Sequence, residues 1–126
     1  MAQVPQEWLL QADYDLETAE CMLKAGRGIY AVFMVHLAVE KALKGVLHKK
    51  FSEMPPRTHN LVYLLQKNAC VPPESLGAFI VELDQASIST RYPEELASMQ
   101  ALYPSDRVGS IIAGGREVLL WVKKIF

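Results

Sequence analysis

Apolar residues return every three or four positions in several stretches of this chain, the spacing of one face of an α-helix. The first stretch predicts a helix from Pro5 to Ala25, with Trp8, Ala12, Leu16, Ala19 and Leu23 on its inward face. Proline suits the opening turn, where its missing N–H would be unpaired anyway. Gly26 is placed for a left-handed stop, and Gly28 for a further loose turn. A second helix is predicted from Ile29 to about Lys50. Val32, Val35, Val39, Ala42, Leu43 and Val46 form its main face, while Phe33, Met34 and Leu37 project elsewhere on the same cylinder. A helix apolar on more than one side is central in its bundle, part of an interface, or both.

Pro55-Pro56 makes Ser52 to Thr58 a loop, and a short helix follows from Asn60 to Lys67, with Thr58 or His59 at its cap. Pro72-Pro73 breaks the chain again before a helix from Pro73 to about Ser89, with Leu76, Phe79, Ile80, Leu83 and Ala86 facing inward. Thr90 to Pro104 reads as a long connection, helical in part around Glu94 to Gln100. The last helix runs to about Phe126, with Ser105 and Asp106 as caps. Its Gly114 and Gly115 each cost roughly 1 kcal/mol of helix stability against alanine, so they point to close approach of a neighbouring helix. No stretch alternates with period two. The expected fold is all-α, an antiparallel up-and-down four-helix bundle with an additional short helix, as one domain over residues 1–126.

Composition narrows the function classes. A formal net charge of −1 lacks the strongly basic footprint of a duplex-DNA binder. Cys21 and Cys70 are too few for a disulfide framework and lack metal-ligand spacing, as for reduced thiols in a cytoplasmic protein. The N-terminus lacks a signal-peptide pattern, and the most apolar run, Ile29 to Val39, is too short to span a bilayer. Phosphate-loop, dinucleotide-turn and serine-hydrolase motifs are absent, as is the paired Glu-x-x-His of di-iron bundles. No cofactor or metal is implied.

Chemistry concentrates in a few polar residues. His36, Glu40, Lys44 and His48 are spaced four apart and make one slowly turning polar stripe on the second helix. His36 beside Glu40 suits either an acid–base or metal pair, or an ion pair with a neighbouring helix. Asp15 lies at the edge of a buried face and requires a cationic partner from Lys41, Lys44 or Arg91. His59 suits phosphate binding, proton transfer or a helix cap. Arg91 can fork onto phosphate and Tyr92 can stack on a base, or the two can close a helix end and fill a gap. Arg91, Tyr92, His59 and Lys44 are expected to converge on one anion-accepting cleft.

Five blocks in order resemble the HEPN family (higher eukaryotes and prokaryotes nucleotide-binding): Trp8 to Ala19, His36 to Lys44, Thr58-His59-Asn60-Leu61 with Leu64, Arg91-Tyr92-Pro93, and Glu117 to Val122. The resemblance covers nearly the whole chain. It implies a helical bundle, usually a homodimer, paired with a minimal nucleotidyltransferase, often as a toxin–antitoxin couple. Some members are metal-independent ribonucleases using Arg-x(4–6)-His. That motif is absent: Arg27 is nine residues before His36, Arg57 is two before His59, and no histidine follows Arg91. The resemblance therefore implies a non-catalytic module binding a nucleotide, RNA or a nucleotidyltransferase through Glu40, Lys44, His59, Arg91 and Tyr92. A ribonuclease with an atypical site and a structural dimerisation protein are the alternatives.

Overall fold

The structure is a computed structural model that describes the backbone of residues 4–91 and 96–126, and their side chains except at 88–91. Six helices follow one another: α1 (Pro5–Lys24), α2 (Gly28–Phe51), α3 (Leu61–Asn68), α4 (Glu74–Arg91), α5 (Leu96–Leu102) and α6 (Ser105–Ile125). No strand occurs among the described residues. The all-α bundle expected from periodicity is the fold observed.

Helix α2 runs through the middle and packs against all five others. Val32, Val35, Val39, Leu43 and Leu47 are buried along its length, together with Ala31, Ala38 and Ala42. Around it α1 contributes Ala12, Leu16 and Ala19, α3 Leu61 and Leu64, α4 Ile80 and Leu83, and α6 Val108, Ile112, Val118 and Val122. Phe33, Met34 and Leu37 are half-buried within the chain itself, and Met34 packs on the core. The large apolar side chains that are mostly exposed are elsewhere, among them Leu10, Tyr14 and Tyr30.

Several boundaries differ from the sequence reading, each for a local reason. Gly26 takes the left-handed conformation, φ +76°, that ends α1. Gly28 is not a further turn but the first residue of α2, where a Cβ would meet Val108 Cγ2 at 3.2 Å. Neither Thr58 nor His59 caps α3: Asn60 does, its Oδ1 accepting from Tyr63 N at 2.9 Å, while Thr58 Oγ1 accepts from Asn60 N at 3.1 Å. Helix α4 extends to Arg91, and the long connection contains α5. Ser105 and Asp106 are not caps. Pro104 holds the N-cap position in extended conformation, ψ 162°, and Ser105 is the first helical residue.

The glycines of α6 serve close packing. A Cβ on Gly115 would lie 2.6 Å from Val35 Cγ1 of α2, and Gly114 faces the Phe79 ring of α4. Gly45 of α2 does the same for α1, where a Cβ would lie 2.9 Å from Trp8 Cβ. Gly109, in contrast, has open space around its Cβ direction. Gly115→Ala is expected to lower stability by about 1–3 kcal/mol through overpacking against a stiff valine. Gly109→Ala should raise it by about 0.5–1 kcal/mol through helix propensity. Urea denaturation of the two variants checks the contrast; equal effects would contradict the packing assignment.

Candidate functional site

The polar stripe of α2 turns by about 40° at each step of four residues, so its members meet different neighbours. His36 is buried and points to α4, where its Nε2–H donates to Asp84 Oδ1 at 3.0 Å. Glu40, with a side chain only 4% exposed, accepts from Lys44 Nζ at 3.1 Å through Oε2. Through Oε1 it accepts from His59 Nδ1–H at 2.8 Å. His36 Nδ1 stands 4.0 Å from the same Oε1. His48 leaves the group: its Nδ1 accepts the Trp8 indole N–H of α1 at 3.0 Å.

The second anchor of the cluster comes from α4. Asp84 Oδ1 accepts not only from His36 but also from the backbone N–H of Leu61 at 3.2 Å. A carboxylate at the first turn of α3 satisfies a donor that the helix itself cannot use and complements the positive end of the helix dipole. One connected set, His36, Glu40, Lys44, His59 and Asp84, thus ties α2, α4 and the segment leading into α3. Four of its five members are buried or nearly so, and His59 is the exit, its side chain 66% exposed.

Of the residues singled out from sequence, the structure brings Glu40, Lys44 and His59 together. Helix α4 ends at Arg91, but the Arg91 side chain and Tyr92 lie outside the described residues. Lys44 is buried against Glu40 rather than presented as a free point charge. Asp15 finds its cation in Lys41, at 2.9 Å, so that acid belongs to the bundle's internal ion pairs. Asp84 was missed. The signal was an acid directly after Leu83 on the inward face of α4, the same reasoning that flagged Asp15. Among the described residues no group of three or more His, Cys, Asp or Glu is placed to hold a metal ion.

A separate surface groove of about 270 Å³ lies at the N-terminal end of α2, lined in part by Arg27, Tyr30, Gln100 and Tyr103. Its charged and amide side chains, Arg27 and Gln100, are exposed. The buried charges of the polar cluster distinguish that cluster from this groove, because desolvated ionisable groups gather at functional sites.

The comparisons with known proteins agree with this architecture. A model of the HEPN domain matches residues 5–125, and the chain belongs to the HEPN family. The crystal structure of TT1696 from Thermus thermophilus superposes with a TM-score of 0.80 at 25% identity, covering 99% of this chain and 100% of that one. The crystal structure of ST0689, an archaeal HEPN homologue, gives 0.77 at 27% identity and 98% coverage of both chains. No curated protein matches this chain. No helix among the described residues is long and apolar enough to cross a membrane.

The buried pairing has a measurable consequence. Removing one partner of a buried ion pair strands the other, at a cost of about 3–5 kcal/mol, whereas replacing both by apolar groups is often neutral. Glu40→Ala is therefore expected to destabilise the chain by that amount. A Glu40→Met, Lys44→Met double variant should regain most of it. Thermal and urea unfolding decide the matter; a double variant as unstable as the single would show that Lys44 is not the group Glu40 neutralises.

Proposed function

We propose that this HEPN chain is a non-catalytic binding module for a nucleotide, for a minimal nucleotidyltransferase partner, or for both. It would act as a twofold homodimer in the cytoplasm, as one unit over residues 1–126 and as half of a toxin–antitoxin pair. One observation carries the reading: a solvent-facing imidazole, His59, held at its inner nitrogen by a buried carboxylate whose other oxygen is neutralised by Lys44. An aromatic, hydrogen-bonding ring on a rigid support is suited to meet a base or a phosphate. Glu40, Lys44 and His59 form the described part of the site, and Arg91 and Tyr92 complete it in this proposal.

A ribonuclease with an atypical site is the second reading. It is favoured by the same carboxylate–imidazole couple, which is how general bases are oriented. The absence of Arg-x(4–6)-His weighs against it.

A nucleotide present at a hundred times its Kd adds about 2.7 kcal/mol to apparent stability. For a chain of this size that raises the Tm by about ten degrees. A thermal-shift panel of mono-, di- and triphosphate nucleotides and short RNAs is expected to contain such a ligand, with the shift lost in Arg91→Ala and in His59→Ala. Cleavage of the RNAs, abolished by His59→Ala, would replace the binding reading with the ribonuclease one. No shift and no cleavage would leave only the protein partner, tested by co-purification with a nucleotidyltransferase encoded nearby. Light scattering at micromolar concentration checks the dimer, and a monomer mass would refute it.

A further inference from the structure

Helix α1 turns one side to the bundle and the other to solvent. Ala12 and Ala19 are fully buried and fix its inward direction. On the opposite side runs a stripe of Glu7, Leu10, Tyr14, Glu17, Cys21 and Lys24, spaced alternately three and four apart. That is the seven-residue repeat of a helix that packs along a second helix. Five of the six are exposed and Glu7 is half-buried. Leu10 is 63% and Tyr14 70% exposed, and the Cys21 thiol is free between them and the helix end. Large apolar side chains gathered on one solvent-facing stripe mark an interaction surface.

The order of charges along the stripe selects what covers it. Glu7 stands at one end and Lys24 at the other, with Glu17 between them. A parallel second copy would set each of these against its own like charge, which is repulsive. An antiparallel copy, centred on the same stripe, gives three complementary pairs, each made twice by the twofold axis. Glu7 faces the partner's Lys24, and Leu10 faces the partner's Cys21. Tyr14 faces the partner's Glu17, a carboxylate set to accept from the phenol. Sliding one copy by a full repeat in one direction sets Glu7 against the partner's Glu17. Sliding it in the other direction leaves Glu7 and Leu10 with no facing residue on the partner's α1.

The flanks agree with the antiparallel order. Asp13 and Glu20 border the stripe on one side and would repel across the axis if left free. Each is already paired with α6, Asp13 with Lys123 at 2.9 Å and Glu20 with Arg116. The other side carries the uncharged Gln11 and Thr18. A surface groove between α1 and α6, lined in part by Glu17, Arg116 and Leu120, opens beside Glu17 and gives the partner's Tyr14 a seat.

We infer that two copies of this chain pair through α1, antiparallel about a twofold axis between Tyr14 and Glu17. The inference rests on the homodimer reading and names its face. Helix α1 packs on α2 and α6, whereas the polar cluster lies among α2, α4 and the segment entering α3. The pairing therefore leaves one cluster uncovered on each copy.

Cysteine cross-linking reads the register. Along the seam Cys21 stands about 16 Å from the partner's Cys21, too far for a disulfide. The wild-type dimer should therefore not cross-link through Cys21. Leu10→Cys, in a Cys70→Ser background, should link each copy to the partner's Cys21 in a glutathione redox buffer. A short bis-maleimide, tolerant of looser geometry, should link the same pair, and adding Cys21→Ser should abolish both products. Positions 10 and 21 are also about 16 Å apart within one helix, so neither product forms inside a single copy. Tyr14→Glu sets acid against acid twice, and should weaken the dimer about tenfold or more in sedimentation equilibrium. These side chains are exposed, so the fold should persist, and circular dichroism checks that for each variant. A dimer unchanged in Tyr14→Glu, or unlinked in Leu10→Cys with both reagents, overturns the α1 face while the homodimer stands. Wild-type cross-linking of Cys21 to the partner's Cys21 overturns the antiparallel register. A wild-type monomer removes the homodimer reading and this inference together.

Discussion

A charge enclosed on every side must be neutralised where it stands, and the architecture around α2 follows from that requirement. The helix is buried along most of its length, yet it carries Glu40 and Lys44 inside. Lys44, one turn further along the same helix, supplies one neutralising contact. The second, closer contact comes from outside α2: His36 of the same helix stands 4.0 Å from Glu40 Oε1, beyond hydrogen-bond reach. His59 supplies it. The same logic places Asp84 of α4 against His36, and its carboxylate then secures the first turn of α3. The short helix is thus held by polar ties at its entrance as well as by Leu61 and Leu64 in the core.

Close steric fit complements these polar ties. Gly45 and Gly115 let α1 and α6 approach α2 until backbone and valine or tryptophan atoms touch. Interiors packed this tightly adjust little, so a side chain anchored to α2 keeps its position relative to the rest of the bundle. His59 sits on a segment outside any helix, where a long loop from Ser52 would otherwise leave it free. Its bond to a carboxylate on the most enclosed helix gives a loop residue the precision of a helical one.

Structures at 25% and 27% identity share this fold over practically the whole chain. Most side chains can change while helix lengths, apolar spacing and the points of closest approach persist, because a core requires volume and pattern before it requires identity. Function does not follow from the shared fold in the same way. It is carried by particular side chains and not by the architecture they stand on.

The helices themselves were readable from the sequence alone. Periodicity marked the inward faces, the proline pairs at Pro55-Pro56 and Pro72-Pro73 marked the breaks, and Gly114-Gly115 marked a close helix crossing. These are local properties, set by 3.6 residues per turn and by the backbone limits of proline and glycine. The blocks that resemble HEPN were readable for the same reason, being short and in order. The tertiary structure alone decided the pairing. His59 and Glu40 are 19 residues apart, and His36 and Asp84 are 48 apart. Helical spacing says which residues share a face, but not which neighbouring element that face will meet. Lys44 therefore read as a free cation until the fold showed its charge already matched by Glu40, and Asp84 drew no attention until it stood opposite His36.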